Sequence, residues 1–291
     1  MSTEPDLQAV VVDGVPRPGA GLDEVADAVR DRAALVLTGA GMSTDSGIPD
    51  YRGPDGTRRV TPMQYADFRG SSEARRRYWA RSFVGWQRMA SVRPNAAHLA
   101  VTRLQTAGHL GPVITQNVDG LHQAAGTTGV VELHGALRDV VCLTCGDRTR
   151  RTDLDARMRS ENPGFVVRGD EIRPDGDVRL DEIDVERFAV PLCLVCGQDT
   201  LKPDVVFFGD SVPRDRVDHC FALTDATPAL VVLGSSLAVM SGYRFVRRAA
   251  SRGVPVVVVT RGPTRGDAQA THRLDADLSP TLTALADLLG A

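Results

Sequence analysis

Leu35-Val36-Leu37-Thr38-Gly39-Ala40-Gly41-Met42-Ser43-Thr44-Asp45-Ser46-Gly47-Ile48-Pro49-Asp50-Tyr51-Arg52-Gly53 is the run on which the rest of the chain depends. An apolar segment stops at a glycine pair, small hydroxyl residues follow, then a proline and an arginine. This reads as a buried strand entering a tight turn. Gly39 and Gly41 let backbone N–H groups approach a ligand without Cβ interference. If a helix starts just after, its N-terminus would favour a pyrophosphate. The run departs from the usual dinucleotide fingerprint. Thr44 stands where the third glycine belongs, and Thr61 and Pro62 occupy the place of the acidic ribose ligand. Taken alone, Gly39-Ala40-Gly41 fits a plain glycine turn equally well.

Working outward, Leu22, Val25, Ala26 and Val29 follow helical spacing, with Asp23 and Glu24 near the start. Residues 1–19 hold three prolines and two glycines and read as a loose N-terminal arm. On the other side, 53–70 is polar and turn-rich, the composition of a functional loop. Trp79, Phe83, Trp86 and Ala90 form a stripe on a helix after Ser72, read as core packing or as the wall of a substrate channel. Asn95 caps another helix with Ala97, Ala100, Val101 and Leu104 on one face and Gly108 as its stop. Pro112–Thr115 and Val130–Leu133 read as short strands. Ala229–Leu233 and Val254–Val259 are continuously apolar, as in strands covered on both faces. Strands alternating with helices predict an α/β fold built on a Rossmann-like, doubly wound parallel sheet.

The bulk numbers exclude several classes. With 291 residues the chain can bury a sizeable core. A formal net charge of −3 argues against a general nucleic-acid binder, and 5% aromatics offer no base-stacking platform. No apolar run approaches the roughly 20 residues of a membrane span, and the N-terminus has no signal-peptide core. A cytoplasmic protein is expected.

Cys142-Leu143-Thr144-Cys145 and Cys193-Leu194-Val195-Cys196 stand 47 residues apart, each followed by a glycine. In a reducing compartment, duplicated Cys-x-x-Cys-Gly knuckles read as one tetrahedral zinc site, with disulfides or a redox pair as the alternatives. The polar spacer, rich in Pro, Gly and charge, supplies little core, so a structural metal is physically sensible. A closed four-cysteine site leaves no open position for water, so the zinc holds structure and does not catalyse. Cys220 reads as a small buried hydrophobe.

His134 lies between an apolar strand-like run and Gly135. A lone histidine is usually structural, although its pKa suits a general base. Gln116, Asn117 and Asp119 follow a strand end, where ligands bind in open α/β sheets, yet the same residue types also initiate turns. Gly234-Ser235-Ser236 repeats the strand-then-small-residue pattern and offers backbone and hydroxyl donors to a phosphate or ribose.

The opening run resembles the first signature of the sirtuins, the NAD-dependent protein deacylases. Matching segments follow in the same order: Thr115-Gln116-Asn117-Val118-Asp119-Gly120-Leu121-His122, Glu132-Leu133-His134-Gly135, the two cysteine pairs, Lys202-Pro203-Asp204-Val205-Val206-Phe207-Phe208-Gly209-Asp210, and Gly234-Ser235-Ser236-Leu237. The resemblance implies NAD+ as co-substrate and one structural Zn2+. It makes His134 the general base, with Asn117 and Asp119 beside it in the catalytic set. It places Gly39, Ala40, Gly41, Ser43, Thr44, Gly47, Ile48, Asp50, Tyr51 and Arg52 on the cofactor. Gln116, Gly234, Ser235, Ser236, Thr260, Gly262 and Leu278 join them. Thr260 departs from the asparagine that many sirtuins carry there, which puts one adenosine contact in question. Val205, Val206, Phe207, Phe208 and Gly209 would hold the acyl-lysine peptide by strand addition. His122 has no assigned role.

The implied organisation is a Rossmann-like domain over 20–136 and 204–291, a cofactor-loop insertion at about 53–93, and a small zinc-binding domain over 137–203. The implied reaction removes acyl groups from protein lysines and yields nicotinamide and O-acyl-ADP-ribose. Pro174-Asp175-Gly176-Asp177-Val178, Tyr78-Trp79-Ala80-Arg81 and Ser241-Gly242-Tyr243-Arg244-Phe245 are similar to class II sirtuins. Tyr78 and Arg81 have the spacing of a carboxylate-holding pair, but Trp79 between them favours acetyl, longer, branched or lipoyl-type acyl groups. Mono-ADP-ribosyl transfer to protein and a non-catalytic NAD-sensing module are the alternatives.

Overall fold

Runs that are apolar at every position become strands covered on both faces. The computed structural model describes residues 10–12, 15–17, 19–53, 57–58, 61–165 and 185–291. Its strands are β1 (Val10–Val12), β2 (Val15–Arg17), β3 (Ala34–Thr38), β4 (Leu110–Thr115), β5 (Val130–Glu132), β6 (Gly135–Cys142), β7 (Arg148–Arg150), β8 (Leu201–Val205), β9 (Leu230–Leu233), β10 (Val256–Val259) and β11 (His272–Leu274). Every residue of β3, β9 and β10 is buried. Alternate side chains serve opposite faces, as the pleat requires. Val36, Val231, Val257 and Val259 pack on the side of helices Leu22–Val29, Ala96–Thr106 and Leu278–Leu289. Leu35, Leu37, Val232, Val256 and Val258 pack on the side of helices Arg214–Ala226 and Met240–Ser251.

The large sheet has six strands in the order β11-β10-β9-β3-β4-β5, all parallel. From β3 the chain moves outward to β4 and β5, then returns to β9 on the other side. The strand order therefore reverses between β3 and β9, the place where doubly wound sheets bind ligands. Four segments converge there: the turns after β3, β4 and β9, and the passage from β5 to β6.

A second, antiparallel sheet, β7-β6-β8, carries the cysteine knuckles. It shares a core with helix Ser72–Ser91, whose Trp79 is fully buried and donates Nε1–H to the Leu201 carbonyl at 2.9 Å. Trp79 and Trp86 also flank the buried Arg151 guanidinium, at 5.5 and 4.5 Å. Both tryptophans thus pack; neither reaches a channel wall. Arg75 bonds Asp199 at 2.8 Å and ties the same helix to the β8 side. Gly135 permits the step from one sheet to the other. Its φ is +80°, and a Cβ there would meet the Asp204 carbonyl oxygen at 2.0 Å.

Three expectations change. Residues 10–17, expected within a loose arm, include an antiparallel pairing of Val10 with Arg17. After Gly39 no α-helix begins; two 3₁₀ turns, Ala40–Met42 and Thr44–Ser46, end at Gly47, whose φ is +87°. The strand expected over Val205–Gly209 lies earlier, at Leu201–Val205, because β8 is set by pairing with β6. The Pro174–Val178 segment lies outside the described residues. Among the described residues no helix is long and apolar enough to cross a membrane.

Candidate active site

The turns after β3 and β9 interlock through missing side chains. Gly41 donates its N–H to the Gly234 carbonyl at 2.9 Å. A Cβ on Gly39 or Gly41 would come within 2.9 Å of that oxygen, and one on Gly234 would meet Met42 N at 2.6 Å. Gly234 also has φ +61°. Only glycine fits this crossing. Leu237 follows at φ +54°, a left-handed conformation that costs a branched residue energy and is typical of ligand-binding turns.

The turn after β4 adds polar groups on a shared network. Asn117 Nδ2 donates to the Gly39 carbonyl at 3.0 Å and to Ser43 Oγ at 3.1 Å. Ser43 Oγ donates to Asp119 Oδ2 at 2.7 Å, and Asp119 Oδ1 accepts from the Leu121 N–H at 2.9 Å. Gln116 Nε2 donates to Ser235 Oγ at 2.9 Å. Burial pushes the Asp119 carboxyl up, and the nearby Glu132 charge adds to this; the bonds from Leu121 and Ser43 oppose it.

His134 stands at the seam between the two sheets. Its Nδ1 lies 2.9 Å from the Gln116 carbonyl oxygen and its Nε2 lies 2.8 Å from Ser241 Oγ. Its pKa is lowered to about 4, chiefly by burial and also by the charges of Arg216 and Arg244, against the raising effect of the Gln116 bond. The ring is neutral at ordinary pH. The carbonyl only accepts, so the proton sits on Nδ1 and Nε2 is the basic atom.

A cavity of about 890 Å³ joins these groups. Its wall includes Gly39, Ala40, Gly41, Ser43, Thr44, Ile48, Asp50, Tyr51, Arg52, Gln116, Asn117, Asp119, His134, Gly234, Ser235, Ser236, Thr260 and Leu278. Val205 through Gly209 line it as well. Phe208 stacks edge-on against Tyr51 at 5.6 Å, and Val206 donates its N–H to the His134 carbonyl at 2.8 Å. Gly47 and Gly262 are absent from the wall. Gly47 ends a 3₁₀ turn, and Gly262 donates to Asp275 Oδ1 at 3.2 Å, so both shape neighbouring turns. Ser241 and Arg244 also line the cavity; their helix position carried no chemical signal in sequence.

Two of the buried histidines, His98 and His122, pack against each other. His122 Nε2 lies 3.1 Å from Thr38 Oγ1, and its ring packs edge-on against His98 at 5.0 Å. Cys220 is fully buried, and burial pushes its thiol up to about 11.

The two cysteine knuckles are near copies. Cys142 and Cys193 each accept the N–H of the glycine four residues on, at 2.9 Å, and those glycines have φ of +77° and +71°. All four Sγ atoms lie within 4.8 Å of one another, with Cys142–Cys196 at 3.6 Å and Cys145–Cys193 at 3.7 Å. Zinc–sulfur bonds of about 2.3 Å give a tetrahedron with edges of about 3.8 Å. The four thiols fit one zinc ion, which rules against disulfides here.

The family model described as "Sir2 family" matches residues 39–241. The chain belongs to the Sir2 family. It is 55% identical over 270 residues to NAD-dependent protein deacetylase 1 of Streptomyces coelicolor, covering 92% of this chain and 90% of that protein. It is 46% identical over 246 residues to the mitochondrial NAD-dependent protein lipoamidase sirtuin-4 of Bos taurus, covering 83% and 78%. Among solved structures it is similar to a Sir2–p53 peptide–NAD+ complex, with a TM-score of 0.74 and 29% identity over 93% of this chain and 99% of that one.

Proposed function

We propose that this Sir2-family chain removes acyl groups from protein lysines at the expense of NAD, with His134 as general base. Support comes from the deacetylase relatives and from the cavity, which suits both reactants. The observation that carries the reading is the state of His134. It is a neutral imidazole lining the cavity, with Nδ1 held by the Gln116 carbonyl and Nε2 against Ser241 Oγ, which also lines the cavity. A base so prepared can take a proton from a substrate hydroxyl without first losing one.

When bound, NAD supplies an electrophilic ribose carbon with nicotinamide as leaving group. The interlocked glycines leave backbone close to the cavity where its phosphates would lie. Asn117 and Asp119 present an amide and a carboxyl for the ribose and nicotinamide groups. The wall from Val205 to Gly209 would take the peptide by main-chain bonding. Phe207 packs edge-on with Phe68 at 5.1 Å and contacts Tyr78 at 5.3 Å. That apolar wall suits an uncharged acyl chain. Tyr78 reaches the cavity and Arg81 does not line it, which speaks against a carboxylate clamp from this pair.

The test is mass spectrometry of an acyl-lysine peptide panel with and without NAD. NAD-dependent loss of acetyl, long-chain or lipoyl groups is expected. His134→Ala should lower the rate by about 10²–10⁴ while NAD still binds. Loss of succinyl alone would overturn the acyl assignment, and no loss across the panel would overturn deacylation.

A further inference from the structure

The basic nitrogen of His134 is already engaged by a residue of the chain itself. Nε2 is a bare lone pair because Nδ1 carries the proton. A bare lone pair can only accept, so the Ser241 hydroxyl, at 2.8 Å, donates into it. His134 has one acceptor position, and Ser241 fills it. The Ser241 oxygen keeps two lone pairs of its own, and both residues line the cavity. A hydroxyl arriving from the cavity therefore meets an acceptor that is itself hydrogen-bonded to the base.

The placement is built by packing. Ser241 is the second residue of helix Met240–Ser251. The next residue is Gly242, where a Cβ would come 2.6 Å from Gln116 Oε1. The missing side chain lets the helix press on Gln116, whose carbonyl holds the other ring nitrogen. Gln116 and Ser241 thus grip the imidazole from both ends.

We propose that Ser241 is the proton relay between the substrate hydroxyl and His134. The inference rests on the deacylase reading above. In the relay the substrate O–H proton passes to Ser241 Oγ as the Ser241 proton passes to Nε2. The serine O–H bond breaks and re-forms, the imidazole becomes an imidazolium, and the substrate oxygen is left free to attack. No other reactant is needed.

The test compares full-length wild type with Ser241→Ala and Ser241→Thr. In 15N NMR without NAD or peptide, Ser241→Ala should move the His134 Nε2 resonance toward that of an unbonded imidazole nitrogen, and Ser241→Thr should restore it. In deacylation, Ser241→Ala should lower kcat about 10- to 100-fold with peptide KM unchanged, and Ser241→Thr should recover most of it. An unchanged or raised kcat in Ser241→Ala would mean that the hydroxyl merely covers the lone pair, and overturns the relay. An unchanged Nε2 resonance overturns the contact. Wild type that removes no acyl group would fail the deacylase reading and the relay with it, while the NMR comparison would still judge the contact alone.

Discussion

The Ser43 hydroxyl donates to Asp119 Oδ2 at 2.7 Å and so ties the turn after β3 to the turn after β4. Ser43 in turn accepts from Asn117 Nδ2, which leaves its single proton committed to Asp119. With Leu121 N–H on the other oxygen, both carboxylate oxygens are used.

Asp119→Asn therefore places an amide N–H₂ against either Ser43 or the Leu121 N–H. Either the Leu121 N–H or the Ser43 hydroxyl proton then loses its acceptor, at a cost of about 1–3 kcal/mol for a buried group. NAD binding by calorimetry should weaken by roughly 10- to 100-fold with the fold intact. Unchanged NAD affinity would remove Asp119 from the cofactor site.

His134 must be neutral to accept a proton, and its pKa lies near 4, below the usual 6.5. Deacylation controlled by this base should persist well below pH 6.5 and fall as pH drops through about 4. Burial is the main cause, and the smaller arginine contribution can be tested. Arg244→Gln removes a positive charge, so the acid limb should move to higher pH in a pH–rate profile. A limb that stays in place would show that Arg244 has no hold on the ring.

Zinc should bind at one ion per chain by metal analysis. Cys142 and Cys193 are buried in the same core as Trp79, Leu154 and Phe188. Chelation, or Cys193→Ser, should therefore lower Tm and loosen helix Ser72–Ser91 as well as the knuckles, since metal binding is coupled to folding. Because the closed site has no open position, replacing zinc by cobalt should leave the deacylation rate nearly unchanged.

Burial lowers the pKa of His98 to about 4, and burial with the facing His98 charge lowers that of His122 to about 3. Both are depressed relative to the unfolded chain, so the unfolded state binds more protons between those values and 6.5. Their stabilising effect is complete above about pH 6.5 and drains away as pH falls through 4 toward 3. Denaturant midpoints should fall over that window. His122→Gln, which removes one of the two titrations, should flatten the dependence.

Much of the fold is legible in local sequence. The all-apolar runs of β3, β9 and β10 demand cover on both faces, and alternating side chains supply it. The knuckles are legible because the glycine after each second cysteine takes the positive φ that closes the turn. Whether a helix follows Gly41 was not legible; none forms, because Ile48 N–H returns to the Ser43 carbonyl and Gly47 closes a short turn. Strand β8 covers Leu201–Val205 although Lys202-Pro203-Asp204 is polar. Its register comes from pairing with β6, and Lys202 is buried with its ammonium bonded to the Pro203 and Val205 carbonyls.

Residue types and short spacings were enough to assign strands covered on both faces, each cysteine knuckle and the glycine turns, because each of these patterns spans only a few positions. The grip on His134 is of another kind. Ser241 lies 107 residues from it and Gln116 lies 18 away, and Ser43 and Asp119 are 76 apart. Periodicity states that a face is apolar but not which distant segment covers it. The reversal of strand order at β3 and β9, and the missing side chain at Gly242, bring those groups within hydrogen-bond reach.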